Sequence, residues 1–151
     1  MLVGFLPDQA ATFTAVGRAE LALSDVDAAV KAFEKAKELD ARSLDEPKAM
    51  SAFARALVSS KRAADAAPLY RALVPRASLL PDRERPLVYL RAAHALMAHA
   101  AEKPEDAKAD LADAAAYLAE ARTDTASSMF GEVLLSQALV FDRGGEPAKA
   151  N

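Results

Sequence analysis

The sequence predicts an all-α protein, and three observations support that prediction. Alanine and leucine, which have high helix propensity, account for 38 and 19 of the 151 residues. Isoleucine is absent and threonine occurs only four times, so the β-branched residues that favour strands are scarce. Apolar residues recur at helical spacing between regularly placed breaks, and no segment alternates over the length of a strand.

Breaks in the apolar pattern define the elements in order. They carry proline, serine, aspartate or glycine, as at Pro7-Asp8 and Ser24-Asp25, and they separate segments of about 15 to 20 residues. The predicted helices span 8–23, 25–40, 46–59, 62–75, 83–100, 104–122 and 125–142.

Two helix starts have a physical signature. Ser43 and Glu46 have the spacing of a capping box, in which each side chain satisfies a free backbone amide of the first turn. Pro104 occupies a first-turn position, where a proline loses no hydrogen bond, and the acidic residues Glu105 and Asp106 suit the positive end of the helix dipole.

Two other prolines test the predicted bounds. Pro68 would break a hydrogen bond if its helix began near Arg62, so a later start, near Ala64 or Asp65, is favoured. Pro86 is likewise expected to lie in the first turn of the fifth helix.

Composition excludes several classes of function. Without cysteine the chain has no disulfide, no thiolate chemistry and no cysteine-based zinc or iron–sulfur site. The net charge of −3 gives no global basic character for nucleic acid. No stretch approaches the ~20 apolar residues that span a bilayer, so membrane insertion is not expected.

Residues that could carry chemistry are few. His94 and His99 are about 140° apart around a helix and so do not share a face as a metal pair would. Paired carboxylates fall in predicted first turns, where the helix dipole accounts for them. We expect no metal site, no cofactor and no catalytic residue, although an enzyme's regulatory helical domain would look the same.

Residues 10–43 carry the pattern of a helix hairpin. The first predicted helix contains Phe13-x2-Val16-Gly17-x2-Glu20, and the second contains Ala29-x3-Phe33-x2-Ala36. This pattern resembles the tetratricopeptide repeat, whose first helix carries a small residue, here Gly17, where the second helix approaches closely. The copy departs from the family at Ser24, Glu20 and Ala41, where the family prefers glycine, tyrosine and proline.

Further copies follow near 47–80, 84–122 and, truncated, 125–151. The equivalent second-helix alanines are Ala29, Ala66, Ala107 and Ala150, so the spacing exceeds the family's period of about 34 residues. The resemblance implies one domain over residues 1–151, built as a right-handed α-solenoid of about three and a half antiparallel helix hairpins. A different antiparallel helical repeat is the structural alternative.

The last segment predicts an open end. Gly144-Gly145 stops the helix predicted over 125–142, and the remaining residues cannot form a full partner helix. An apolar face that includes Leu135 and Leu139 would then stay uncovered. We therefore expect a piece of a longer repeat protein, or a domain that ends against a partner or another copy of itself.

The resemblance also implies where a partner would bind, because the first helices of the family line a concave groove. Arg18 and Arg55 follow the packed pairs Val16-Gly17 and Phe53-Ala54 and would face that groove. The other expected partner-binding residues are Thr14, Lys48, Ser51, Tyr89, Leu96 and His99. The family's peptide-carboxylate clamp uses lysine and asparagine where this chain has Thr14 and Arg18, so binding of chaperone tails is not expected.

Charge is unevenly distributed, with nine basic and three acidic residues over 48–91 and acidic segments on both sides. Arginines suit bidentate contacts with carboxylates, so we expect a protein or peptide partner with acidic residues ahead of a hydrophobic one. Nucleic acid is not expected, because aromatic residues make up only 6%. An outer patch around Arg62, Arg71 and Arg76 is the alternative surface. The sequence thus predicts a non-enzymatic scaffold or adaptor, with a structural oligomerisation module as the alternative.

Overall fold

The computed structural model describes residues 7–123, 135–140 and 143. Every regular element in these residues is helical and none is a strand, which confirms the all-α prediction. Among them no helix combines the length and apolar character needed to cross a membrane. The chain divides into two compact units, Met1–Arg62 and Ala63–Asn151. The boundary falls inside the expected second repeat, 47–80.

The first unit contains α1 (Pro7–Ala22), α2 (Val26–Leu39) and α3 (Pro47–Ser59). α1 packs along α2, and α3 packs against both. The side chain of Asp25 caps α2 by accepting a hydrogen bond from the Ala28 amide at 3.1 Å. The rings of Phe33 and Phe53, both buried, lie 5.5 Å apart and form the centre of this core.

The turns after α1 and α3 have the same backbone geometry. Ser24 and Lys61 both adopt left-handed conformations, with φ of 65° and 66°. In each turn that residue's amide donates to the carbonyl three residues back, and the next amide donates to the carbonyl five residues back. This is the Schellman arrangement, which satisfies the last carbonyls of a helix. Both turns line one recess of about 410 Å³, so they lie on the same side of the unit.

The second unit contains α4 (Ala63–Leu73), α5 (Arg85–Glu102) and α6 (Ala107–Thr123). Short 3₁₀ turns at Val74–Leu79, Asp82–Glu84 and Pro104–Asp106 connect them. α5 packs against both α4 and α6, and Tyr70, Leu96 and Leu118 are fully buried. Residues 135–140 are also helical, while the rest of the helix predicted over 125–142 lies outside the described residues except at position 143.

The predicted capping box at Ser43 is wrong. α3 begins at Pro47, its N-cap is Glu46, and no side chain caps it. The Ser43 hydroxyl is instead buried, and no described residue forms a hydrogen bond with it. A proline at the first helical position has no amide hydrogen to satisfy, so the helix can begin there without the serine.

The favoured late start of α4 is also wrong. The helix begins at Ala63, and Pro68 lies inside it rather than in the first turn. The proline ring therefore removes one hydrogen bond of the helix. The expectation for Pro86 is confirmed, because it is the second residue of α5.

Candidate functional site

The two arginines expected to face a partner are exposed in the first unit. Arg18 on α1 and Arg55 on α3 both present their side chains to solvent. Neither forms an ion pair among the described residues. Arg18 follows buried Gly17 and Arg55 follows buried Ala54, so the small residues are packed as predicted. Val16, however, is 40% exposed and does not belong to the packed face.

The remaining candidates of the first unit differ in accessibility. Lys48 is exposed, whereas Thr14 and Ser51 are half-buried. The Thr14 hydroxyl donates a hydrogen bond to the Ala10 carbonyl at 3.0 Å. Thr14 therefore has a local partner within α1.

The three candidates on α5 are engaged within the second unit. Leu96 is fully buried, so it presents no surface to a partner, in contrast to the expectation for it. The ring of Tyr89 lies 6.3 Å from that of Tyr117 on α6. His99 is paired with Asp110. The cause is that α5 is packed by α4 on one side and α6 on the other.

A buried polar cluster joins the three helices of the second unit. Asp110 on α6 is fully buried, and its Oδ1 accepts a hydrogen bond from Arg71 on α4 at 2.8 Å. The Nδ1 atom of His99 on α5 lies 2.6 Å from Asp110 Oδ2. The same Arg71 nitrogen donates to the half-exposed Asp113 at 2.8 Å. One carboxylate thus connects α6 to both neighbouring helices.

Electrostatics in the cluster favour the charged form of Arg71 and the neutral form of the neighbouring Tyr117. Burial lowers the pKa of Arg71, but hydrogen bonds to Asp113 and Asp110 and the charges of those carboxylates outweigh burial and raise the pKa above its ordinary value. Burial raises the pKa of the neighbouring Tyr117 phenol, and the negative charge of Asp113 raises it further. Arg71 remains a cation, and Tyr117 remains neutral at physiological pH.

The cluster has part of the geometry of a catalytic centre. A carboxylate that holds an imidazole through Nδ1 is the orienting half of a nucleophile–base arrangement. In the described residues, however, no hydroxyl is hydrogen-bonded to His99. Nor does that part of the chain contain a group of three or more side chains placed to hold a metal ion. What the described residues show is a set of polar contacts from Asp110 on α6 to Arg71 on α4 and His99 on α5.

The sequence analysis did not identify Asp110, nor that Arg71 and His99 pair with it. A signal was present, because Asp110 is followed at successive i+4 positions by Ala114 and Leu118, which are both fully buried. Residues four apart share one helix face, so an aspartate on that stripe is expected to be enclosed. A buried carboxylate needs a charged or hydrogen-bonding partner, and Arg71 and His99 are the available ones.

Much of the predicted basic character is neutralised. Arg62 pairs with Glu34 at 2.8 Å, and Arg71 pairs with Asp110 and Asp113. Arg85 pairs with Asp82. These contacts reduce the positive charge that the alternative surface around Arg62, Arg71 and Arg76 would offer.

The helical segment at 135–140 has two distinct faces. Ser136 and Val140 are buried, and the Ser136 hydroxyl lies 2.8 Å from His94 Nε2. Leu135 and Leu139, whose face is centred about 100° around the helix from that pair, are 63% and 42% exposed. The leucines expected at an open end are thus accessible to solvent.

Comparisons with the models of known protein families, with curated proteins and with solved structures found no match.

Proposed function

We propose that the chain is a non-enzymatic, tetratricopeptide-like scaffold that binds a protein or peptide segment. One observation carries the proposal most directly. Arg18 and Arg55 are exposed, unpaired among the described residues, and placed one position after the buried small residue of α1 and of α3. Equivalent cations on two helices of one packed unit suit repeated contacts with an extended partner.

The repeated backbone supports the assignment to a helical repeat. Arg18 and Arg55 are 37 residues apart, and so are the two left-handed turn residues, Ser24 and Lys61. α3 packs against both helices of the α1–α2 hairpin, as the first helix of a following repeat would. The resemblance then implies that α1 and α3 line the groove, with Thr14, Lys48 and Ser51 beside the arginines.

The chemistry of the surface indicates an acidic partner. A guanidinium group offers parallel donors that match a carboxylate, and charged hydrogen bonds are stronger than neutral ones. Each arginine would contribute about 1–3 kcal/mol to binding where its hydrogen bonds are shielded from water. The expected partner is an extended segment with acidic residues close to a hydrophobic one.

A peptide array with systematically varied acidic and hydrophobic positions tests the proposal. We expect selection of acidic sequences, loss of binding with Arg18→Gln/Arg55→Gln, and weaker binding at higher salt. The matched control is Lys31→Gln/Lys37→Gln, which removes two exposed charges from α2 of the same unit and should bind normally. Full affinity in a folded double arginine variant would place the site elsewhere.

A second candidate, an oligomerisation module, is favoured by the exposed Leu135 and Leu139. When a second copy covers an apolar pair on one helix face, apolar surface is removed from water and the dimer is stabilised. Sedimentation over a dilution series should then show a dimer that disappears with Leu135→Glu/Leu139→Glu. Leu23→Glu/Leu79→Glu, which changes two other exposed leucines, is the control and should leave the dimer intact. A monomer at all concentrations would contradict this candidate.

A further inference from the structure

A small pocket lies at the seam between α5 and α6 in the second unit. Its volume is about 200 Å³, and it is partly open to solvent. Met97, Ala100 and Ala101 of α5 form one wall, and Ala107 and Leu111 of α6 form the other. The pocket exists because three of these residues are alanines, which leave space that larger side chains would fill. Its described walls are therefore apolar.

Among the described residues that line this pocket, Arg143 is the charged one. Its side chain is exposed and forms no ion pair with a described residue. The guanidinium therefore has donors available beside an apolar recess. An apolar body next to a single cation is complementary to a molecule with a hydrocarbon part and one negative charge.

We propose that this pocket binds a small aliphatic monocarboxylate, with the hydrocarbon chain between α5 and α6 and the carboxylate on Arg143. The volume sets the size of the ligand. A dry apolar cavity of about 150 Å³ takes up benzene, so a pocket of about 200 Å³ accommodates a chain of roughly five or six carbons. A neutral aliphatic ligand would form no ion pair with Arg143, and a cationic ligand would be repelled by it.

The site is separate from the proposed scaffold function. Its residues belong to the second unit, whereas Arg18 and Arg55 belong to the first. Failure of one proposal therefore leaves the other in place.

A series of linear carboxylates tests the proposal, with the methyl resonance of Met97 as the reporter because Met97 lines the pocket. Met50, buried in the first unit, is the internal control. From butanoate to hexanoate we expect saturable shifts of Met97 alone, with affinity rising up to about fourfold for each added methylene. The gain should end near hexanoate, when the pocket is full. Hexanamide, which lacks the charge, should bind about tenfold more weakly than hexanoate.

Two variants separate the contributions of the pocket and of the charge. Ala101→Leu, at an exposed position on the wall, should fill the recess and abolish the Met97 shift. Arg143→Gln should weaken hexanoate binding about tenfold, to the level of hexanamide. Ala119→Leu and Arg83→Gln, at exposed positions outside the pocket, are the matched controls and should bind normally.

Three results would overturn the proposal. The first is an unchanged Met97 resonance, and the second is a shift of Met50 in parallel with that of Met97. The third is equal binding of hexanoate by Arg143→Gln and the wild-type protein.

Discussion

Asp110 on α6 accepts a hydrogen bond from Arg71 on α4 at 2.8 Å, and its own side chain is fully buried. The second oxygen of the same carboxylate faces His99 on α5 at 2.6 Å. A polar contact therefore links three helices whose buried residues are mostly alanine and leucine. Alanine allows helices to pack closely, but its small side chain does little to determine how they are aligned along one another. The polar contact of Asp110 with Arg71 and His99 can therefore fix that alignment.

Asp110→Asn should lower the free energy of unfolding. The substitution preserves shape but removes the charge that offsets the buried part of Arg71. Arg71 keeps Asp113 and its side chain is 36% exposed, so the loss should be about 1–3 kcal/mol rather than that of a fully enclosed pair. Urea denaturation followed by circular dichroism measures the change.

Asp113→Asn is the matched control for that experiment. Its side chain is half exposed, and exposed ion pairs contribute little, so we expect a change below about 1 kcal/mol. Equal losses in the two variants would show that the buried position of Asp110 has no special role.

The helices of this protein could be predicted from sequence because their signals are local. Alanine and leucine spacing, together with breaks such as Ser24-Asp25 and Pro104, placed six helices within a few residues of their observed bounds. Ser43 was misassigned because a helix can begin at Pro47 without a side-chain cap. The burial of Leu96 was not predicted because it depends on both neighbours of α5, which the sequence of a single helix does not reveal.

Gly17→Ala should destabilise the first unit. A Cβ atom built at Gly17 would lie 2.8 Å from Cε1 of Phe33, closer than such contacts allow. Phe33 is fully buried and contacts Phe53, so its ring cannot move away freely. Alanine gains about 0.5–1 kcal/mol in helix propensity, but overpacking costs about 1–3 kcal/mol, and the net effect should be a lower melting temperature.

A double-mutant cycle with Phe33→Leu identifies the cause of that loss. Phe33→Leu alone should destabilise by opening a cavity, but it should also make room for the Gly17→Ala methyl. The two changes together should therefore cost less than their sum. A Gly17→Ala variant that melts at or above the wild-type temperature would contradict the close contact of α1 with α2.

Tyr117 should make the folded state less stable at alkaline pH than at neutral pH. Its pKa is raised above the ordinary 10.0 by burial and by Asp113, so the folded state favours the neutral phenol. The resulting stability is present below pH 10.0 and is lost as pH rises through the folded pKa. Tyr117→Phe should show a smaller loss of stability between neutral and alkaline pH, measured by urea denaturation. An unchanged pH profile would exclude this role for Tyr117.

Glycine at the two left-handed turns should stabilise the protein. Ser24 and Lys61 adopt φ of 65° and 66°, a conformation in which a Cβ atom is crowded by the following carbonyl. Ser24→Gly and Lys61→Gly should each raise the free energy of unfolding by about 0.5–1 kcal/mol, because glycine carries no such penalty. The hydrogen bonds of the two turns are separate, so the gains should be nearly additive.

Ser24→Ala and Lys61→Ala retain the Cβ atom and should give no gain, which distinguishes backbone strain from loss of the serine or lysine side chain. Thermal melts of the five variants, including the double glycine variant, measure these effects. A stabilisation that alanine reproduces at either position would show that the left-handed backbone is not its source.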